Sequence, residues 1–281
     1  MNDFKIAVIN NDLGLLNTIE KVDIHNHAIT SCTKEYLIKH NIKLSNDKIN
    51  DIESLINFSR NNLTPLQLEE SGLKLLLEGN FENCIETGVT IVGTSIDYKT
   101  CIRTFNCDIE KFINFLKSFE YKNLKILWDL HISRDSYKDE HKKIINELLE
   151  TKFFSGLDLA STENIIPNSA FIDFYKLANS FNMITKVHAG EQLGADYIKE
   201  CILDFNPKQI NDFIIVKKKK GWEFSSLFNK VSLNLFDVMP NPPVSLKTLE
   251  GFMGLSIHET SVPFDIDRKL TARELEETIK Y

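Results

Sequence analysis

The sequence predicts an α/β fold of the (β/α)8, TIM-like barrel type, and three observations lead to this prediction. Short apolar and β-branched runs alternate with longer helix-like stretches, a rhythm that is typical of parallel βαβ units. Seven such runs, with an eighth near Gly254–His258, fit the length of a barrel of about 250 residues. Histidines and carboxylates fall at the ends of the runs, where such barrels carry their sites.

The elements follow in chain order. Strands are predicted at Lys21–His27, Val89–Asp97, Leu124–His131, Phe154–Leu159, Ile184–His188, Gln209–Val216 and Lys230–Phe236. Helices are predicted at Pro65–Cys84, Asp108–Phe119, Lys138–Thr151, Ser169–Phe181, Ala195–Asp204 and Thr271–Lys280, the last beginning with a capping box. Whether the C-terminal strands complete the barrel stays open. An open doubly wound sheet is the alternative, but neither GxGxxG nor GxxxxGK(S/T) occurs to support it.

The composition excludes several classes of protein. With 42% apolar and 26% charged residues, the chain is close to globular averages, and we expect one domain over residues 1–281. No apolar run is long enough to span a membrane, and no secretory signal is recognisable. The net charge of −7 argues against nucleic-acid binding. The five cysteines are scattered without CxxC, so a cytoplasmic protein with free thiols is expected.

The sharpest local pattern is a pair of histidines at the end of the first predicted strand. His25 and His27 are two residues apart and therefore face the same side of the strand, as two arms of a metal site would. For a lone pair of this kind, one core and one surface histidine would be the simpler interpretation. His188, which ends the fifth predicted strand, favours the metal site. Glu191 then suits proton transfer rather than metal binding.

At these residues the chain resembles the adenosine deaminase family of metal-dependent amidohydrolases. The matching stretches are KVDIHNHA at Lys21–Ala28, SGLDLASTE at Ser155–Glu163 and TKVHAGEQLGAD at Thr185–Asp196. HAGE is the most specific of these motifs, and the resemblance extends to about Ile210. It implies a barrel that removes the amino group of adenosine or a related amino-purine, so the expected partner is a small purine nucleoside or base.

The resemblance also implies roles for individual residues. His25, His27 and His188 would bind one Zn2+ ion, and Glu191 would hand a proton to ring nitrogen N1 of the purine. A zinc-bound hydroxide would attack C6, and ammonia would leave. Three residues are expected at the substrate: Asp158, Ser161 and Gly190. Asp97 and Asp158 are also candidates for supporting the metal ligands, whereas for His131 barrel packing is favoured over a place in the pocket.

The chain departs from the family pattern in two regions. Ile29 stands where the family has an aspartate that holds a ribose hydroxyl, and Ser161 replaces a glycine near the base. Another amino-purine, a free base or a modified nucleoside is therefore as compatible as adenosine. Further along, Asp212 stands where a second catalytic histidine is expected, with His258 as the alternative replacement.

The last metal ligand of the family, the first aspartate of a TDDP-like block, has no clear counterpart. We predict Asp265 in this role, with Asp267 and Asp237 as alternatives. Two other functions stay open, the first because of these departures and the second because an HxH pair is shared by many metal-dependent barrels. One is a catalytically impaired or inactive relative that binds a nucleoside or another small ligand. The other keeps the metal but acts as an amidohydrolase or phosphoesterase on a different small molecule.

Overall fold

A parallel sheet whose six strands occur in chain order forms the centre of the molecule. The computed structural model describes residues 3–45, 52–193, 195–211, 213–218 and 221–226. The strands are β1 (Lys21–His27), β2 (Val89–Asp97), β3 (Lys125–Ser133), β4 (Gly156–Ala160), β5 (Ile184–His188) and β6 (Gln209–Asn211). The sheet is curled, as in one half of a TIM-like barrel. The predicted α/β fold of TIM-like type is therefore confirmed over the described residues.

Helices precede the sheet and connect its strands. The helices are α1 (Asp3–Asn10), α2 (Leu13–Thr18), α3 (Lys34–Lys39), α4 (Ile52–Phe58), α5 (Glu70–Glu86), α6 (Tyr98–Phe105), α7 (Ile109–Lys117), α8 (Lys142–Glu150), α9 (Ile172–Ser180) and α10 (Ala195–Phe205). Local sequence explains their starts: the side chains of Asp97 and Asp108 accept hydrogen bonds from the first turns of α6 and α7. Within the described ranges, no helix combines the length and apolarity needed to cross a membrane.

Three of the predicted helices begin differently from the prediction. Their first residues form short 3-10 turns, at Leu66–Leu68, Asp139–His141 and Asn168–Ala170. Before α5 the chain folds back on itself, and Gly72 permits this, because the carbonyl of Leu66 lies where a Cβ atom at that position would collide with it. Glu69 between them is extended, with φ −110° and ψ 137°. The single helix predicted over Pro65–Cys84 is therefore wrong at its start.

The strand predicted over Gln209–Val216 is also wrong, because it is divided between two sheets. Only β6 pairs with β5, and a separate antiparallel hairpin follows, formed by β7 (Phe213–Lys218) and β8 (Gly221–Ser226). Two residues connect these strands, and so short a connection makes local antiparallel pairing inexpensive in chain entropy. The predictions at Lys230–Phe236, Gly254–His258 and Thr271–Lys280 lie outside the described residues, as does part of the single domain predicted over residues 1–281.

A buried ion pair lies inside the curled sheet, formed by the residues two positions before His131 on β3 and His188 on β5. Lys186 of β5 donates to the Oδ2 atom of Asp129 of β3 at 2.7 Å and to the carbonyl of Ile24 at 2.8 Å. Asp129 is 2% exposed and Lys186 is 3% exposed. Burial raises the pKa of Asp129 to about 6, although Lys186 opposes this shift. Gly156 gives the carboxylate room, since a Cβ atom at that position would collide with it.

Removal of one partner of this pair is expected to destabilise the fold strongly. Lys186→Met leaves the Asp129 carboxylate buried without its cation, so we expect the free energy of unfolding to fall by about 3–5 kcal/mol. The double variant Lys186→Met/Asp129→Asn should recover most of this loss, because neither remaining side chain carries a charge. Urea denaturation at pH 7 measures both effects.

The matched control is Lys74→Met. Lys74 and Glu78 form an exposed i, i+4 pair at 3.6 Å, and such pairs contribute about 0.3–0.5 kcal/mol. If Lys186→Met were no more destabilising than Lys74→Met, the buried pair would not support the sheet as described.

Candidate metal centre

Four side chains converge where the strands end, as the sequence predicts for three of them. His25 and His27 come from β1, Asp158 from β4 and His188 from β5. Each offers one ligand atom, and these four atoms lie within 4.8 Å of one another. The strands bring them together because the carboxyl ends of parallel strands meet at one edge of the sheet.

The distances inside this cluster resemble those of a metal site. The Nε2 atoms of His25 and His188 are 3.1 Å apart. The Oδ1 atom of Asp158 is 3.4 Å from His188 Nε2, and its Oδ2 atom is 3.9 Å from His25 Nε2. In tetrahedral zinc with bonds of about 2.0–2.1 Å, neighbouring ligand atoms are about 3.3–3.4 Å apart. The donor set suits one such ion, and the two shorter spacings are close to this value, whereas the one of 3.9 Å exceeds it.

The charges of the cluster also suit a cation. Burial by itself would raise the pKa of Asp158, but the adjacent His188 and His25 hold it well below its ordinary value. Burial, together with the neighbouring His188, lowers the pKa of His27 well below its usual range. An anionic carboxylate and a neutral imidazole are the protonation states in which these groups bind metals.

Glu191 lies directly beside this cluster. Its Oε1 atom is 3.2 Å from Nδ1 of His188, three residues earlier in the chain. When Nδ1 carries the proton, this contact leaves Nε2 of His188 facing His25 and Asp158 as a donor of electrons. A carboxylate in this position commonly orients a metal-binding histidine. The contact therefore suits the orientation of His188, while proton transfer by Glu191 stays a prediction.

The backbone near Ser161 and Gly190 has an uncommon conformation. Their φ angles are 75° and 90°, in the region that glycine adopts without steric cost. Ser161 adopts this conformation although it carries a Cβ atom, which makes it sterically less favourable there than glycine. The carbonyls of Ser161 and His188 both accept hydrogen bonds from Arg134, which places Ser161 next to the strand that carries His188.

His131 is the site residue for which the sequence interpretation favoured packing. Its Nδ1 atom is 3.3 Å from Oδ2 of Asp158, and its ring centroid is 5.1 Å from that of His27. On its other side, Nε2 is 3.0 Å from the hydroxyl of Ser133, which donates to Asp97. The register of β3 and β4 would have placed His131 in the site, since it pairs His131 with Asp158 on the neighbouring strand. This register cannot be read from the sequence alone.

The remaining predicted site residues lie outside the described residues. They are Asp212, Asp237, His258, Asp265 and Asp267. Immediately before the first of these, the side chain of Asn211 is buried and its Nδ2 atom lies 3.3 Å from Nε2 of His188. The end of β6 therefore borders the cluster that contains His188.

A comparison with protein families matches the segment that contains most residues of the candidate metal centre. The model of the adenosine deaminase family matches residues 117–213. The predicted resemblance to adenosine deaminases is confirmed. This segment includes Asp158, His188 and Glu191, whereas the two histidines of β1 precede it. No curated protein sequence matches the chain.

Solved structures show the same adenosine-deaminase-like fold. An adenine deaminase from Arthrobacter aurescens has a TM-score of 0.51 and 19% identity, over 69% of this chain and 64% of that one. An amidohydrolase from Burkholderia ambifaria with bound Zn has a TM-score of 0.54 and 13% identity, over 69% of this chain and 59% of that one. An Arabidopsis ADAL protein complexed with IMP has a TM-score of 0.54 and 15% identity, over 69% of this chain and 65% of that one. The present chain thus spans less than two thirds of the length of each of these three proteins.

Proposed function

We propose that the chain is a zinc-dependent hydrolase that removes the amino group of adenosine or a related amino-purine. The observation that carries the proposal is the convergent set of donor atoms from His25, His27, Asp158 and His188, of which the last two are buried, with Glu191 in contact with His188. The relatives support the reaction class, since they include an adenine deaminase, an amidohydrolase with bound Zn and an IMP complex. The substrate and the metal are part of the proposal.

The residues divide into two roles in this proposal. The histidines and Asp158 would hold zinc, which supplies the Lewis acidity that makes water nucleophilic near pH 7. For Asp158 the contacts favour a role at the metal over direct contact with the substrate, because both oxygens face imidazole nitrogens. Ser161 and Gly190 remain the proposed border of the purine. Glu191 would hold the proton that passes to the ring nitrogen, while its Oε1 atom keeps His188 oriented.

The test is a direct measurement of ammonia. Purified protein loaded with zinc is incubated with adenine, adenosine and AMP, and ammonia is compared with the change in purine absorbance. Equal amounts of both, with at least one of these purines, support the proposal. Zinc-loaded protein that releases no ammonia from any of the three contradicts it.

The second candidate is an impaired relative that binds a nucleoside without converting it. It is favoured by the end of β6, where Asn211 contacts His188 and Asp212 occupies the position expected for a second catalytic histidine. Calorimetry separates the two functions: heat of binding for adenosine without ammonia release indicates the impaired relative, whereas turnover excludes it.

Truncation of His131 is expected to weaken the metal centre without abolishing it. His131→Ala removes the imidazole next to Asp158, and loss of such an outer partner typically costs 10–100-fold in metal affinity. Competition with a zinc-binding dye measures this change. The control is His141→Ala, because His141 is partly buried and contacts Tyr98, outside the cluster. Equal affinities in the two variants would remove His131 from the metal centre.

A further inference from the structure

Glu163, in the loop after β4, contacts the loop after β5 through three consecutive backbone amides. Its Oε1 atom accepts from the amide of Glu191 at 2.9 Å, and its Oε2 atom accepts from those of Gln192 and Leu193 at 2.9 and 2.6 Å. The amide of Glu163 in turn donates to the side chain of Gln192 at 2.9 Å. Successive amides that converge on an anion form a nest, and bonds to a charged acceptor are stronger than neutral ones.

Arg134 also connects the loops after β4 and β5, through hydrogen bonds to a backbone carbonyl of each. Its side chain is fully buried, and it donates to the carbonyl of His188 at 2.7 Å and to that of Ser161 at 3.2 Å. The loops after β4 and β5 are thus joined both before and after Gly190. A buried cation and a buried anion are costly to place unless partners satisfy them. Two carbonyls accept from Arg134 and three amides donate to Glu163, and these contacts hold the two loops together.

Only two residues separate His188 and Glu191, whose backbone groups accept and donate these hydrogen bonds. Glu163 holds the amide of Glu191, Arg134 holds the carbonyl of His188, and Glu191 reaches back to the ring of His188 at 3.2 Å. Glu163 is 5% exposed, so water does not easily replace its contacts. The backbone position of Glu191 is consequently held by residues that follow β4 and β3 rather than by its own loop.

We propose that Glu163 is a positioning residue for Glu191: its carboxylate fixes the backbone from which Glu191 reaches the metal centre. The proposal deepens the function proposed above and rests on it for the role of Glu191. Glu163 itself contacts backbone amides rather than the cluster of ligand atoms. Loss of its charge should therefore disturb Glu191 while leaving the metal-binding side chains in place.

The first test does not depend on turnover. In Glu163→Gln, one acceptor oxygen becomes an amino group that cannot accept from a backbone amide. We expect hydrogen exchange of the amides of Glu191, Gln192 and Leu193 to become at least about 10-fold faster in zinc-loaded protein, while zinc content is unchanged. Glu86→Gln, on an exposed turn of α5, is the matched control. Unchanged exchange at the amide of Glu191 would overturn the proposal.

The second test is a double-mutant cycle on ammonia release. If Glu163 acts through Glu191, Glu163→Gln lowers kcat by about 10–100-fold with little change in KM, and adding it to Glu191→Gln causes no further loss. A merely structural role predicts that the two losses multiply, and that result would overturn the proposal. Glu163→Asp retains the charge and should lie between wild type and Glu163→Gln. A wild type that releases no ammonia refutes the proposed function, and the exchange measurement then decides the positioning role alone.

Discussion

His188→Ala is expected to leave the chain without stoichiometric zinc, whereas wild type should hold about one ion per chain. The Nε2 atom of His188 lies 3.1 Å from that of His25 and 3.4 Å from Oδ1 of Asp158. Its removal therefore takes away the atom that contacts the other donors most closely. Loss of a direct ligand should exceed the 10–100-fold effect of an outer partner. Elemental analysis after purification without chelator measures the zinc content.

His40→Ala is the control for this experiment. His40 is an exposed residue that follows α3 and contacts the carbonyl of Tyr36, so its replacement changes the histidine count without touching the cluster. Wild type and His40→Ala should contain the same amount of zinc. If wild type contained none, or if His188→Ala retained a full equivalent, the assignment of the metal centre would be wrong.

Glu191→Gln is expected to lower the rate of ammonia release by about 10²–10⁴-fold, the range typical for loss of a general acid or base. The amide has nearly the same size, and its oxygen can still accept the hydrogen bond from Nδ1 of His188. It cannot, however, pick up and deliver a proton near neutral pH. Zinc content should therefore stay at the wild-type level. Steady-state kinetics and elemental analysis on the same preparation give both quantities.

Glu86→Gln again serves as the comparison, because it makes the same chemical change on an exposed helix surface. A Glu191→Gln variant as fast as wild type would show that Glu191 moves no proton. A variant that loses zinc together with activity would instead show that Glu191 acts mainly by orienting His188.

Local sequence was sufficient to predict a strand where the pattern of residue types lies within that strand. The predicted bounds of β1, β2 and β5 agree with the structure, because β-branched residues alternate with polar ones in β1 and make up most of β2 and β5. Local sequence failed where the chain could choose between partners. The run after Gln209 has strand character throughout, yet only its first three residues pair with β5. The pairing of a strand depends on what lies beside it, and this is not a property of its own residues.

The same distinction applies to the metal centre. The sequence by itself determined that His25 and His27 share one face of β1 and that His188 and Glu191 stand at the end of β5, since strand periodicity and chain order are local. Only the tertiary structure decided that Asp158 and His131 meet these histidines and that Glu163 and Arg134 hold the loop of Glu191. These contacts join different strands, and they depend on register, where a shift of one residue turns every side chain to the opposite face.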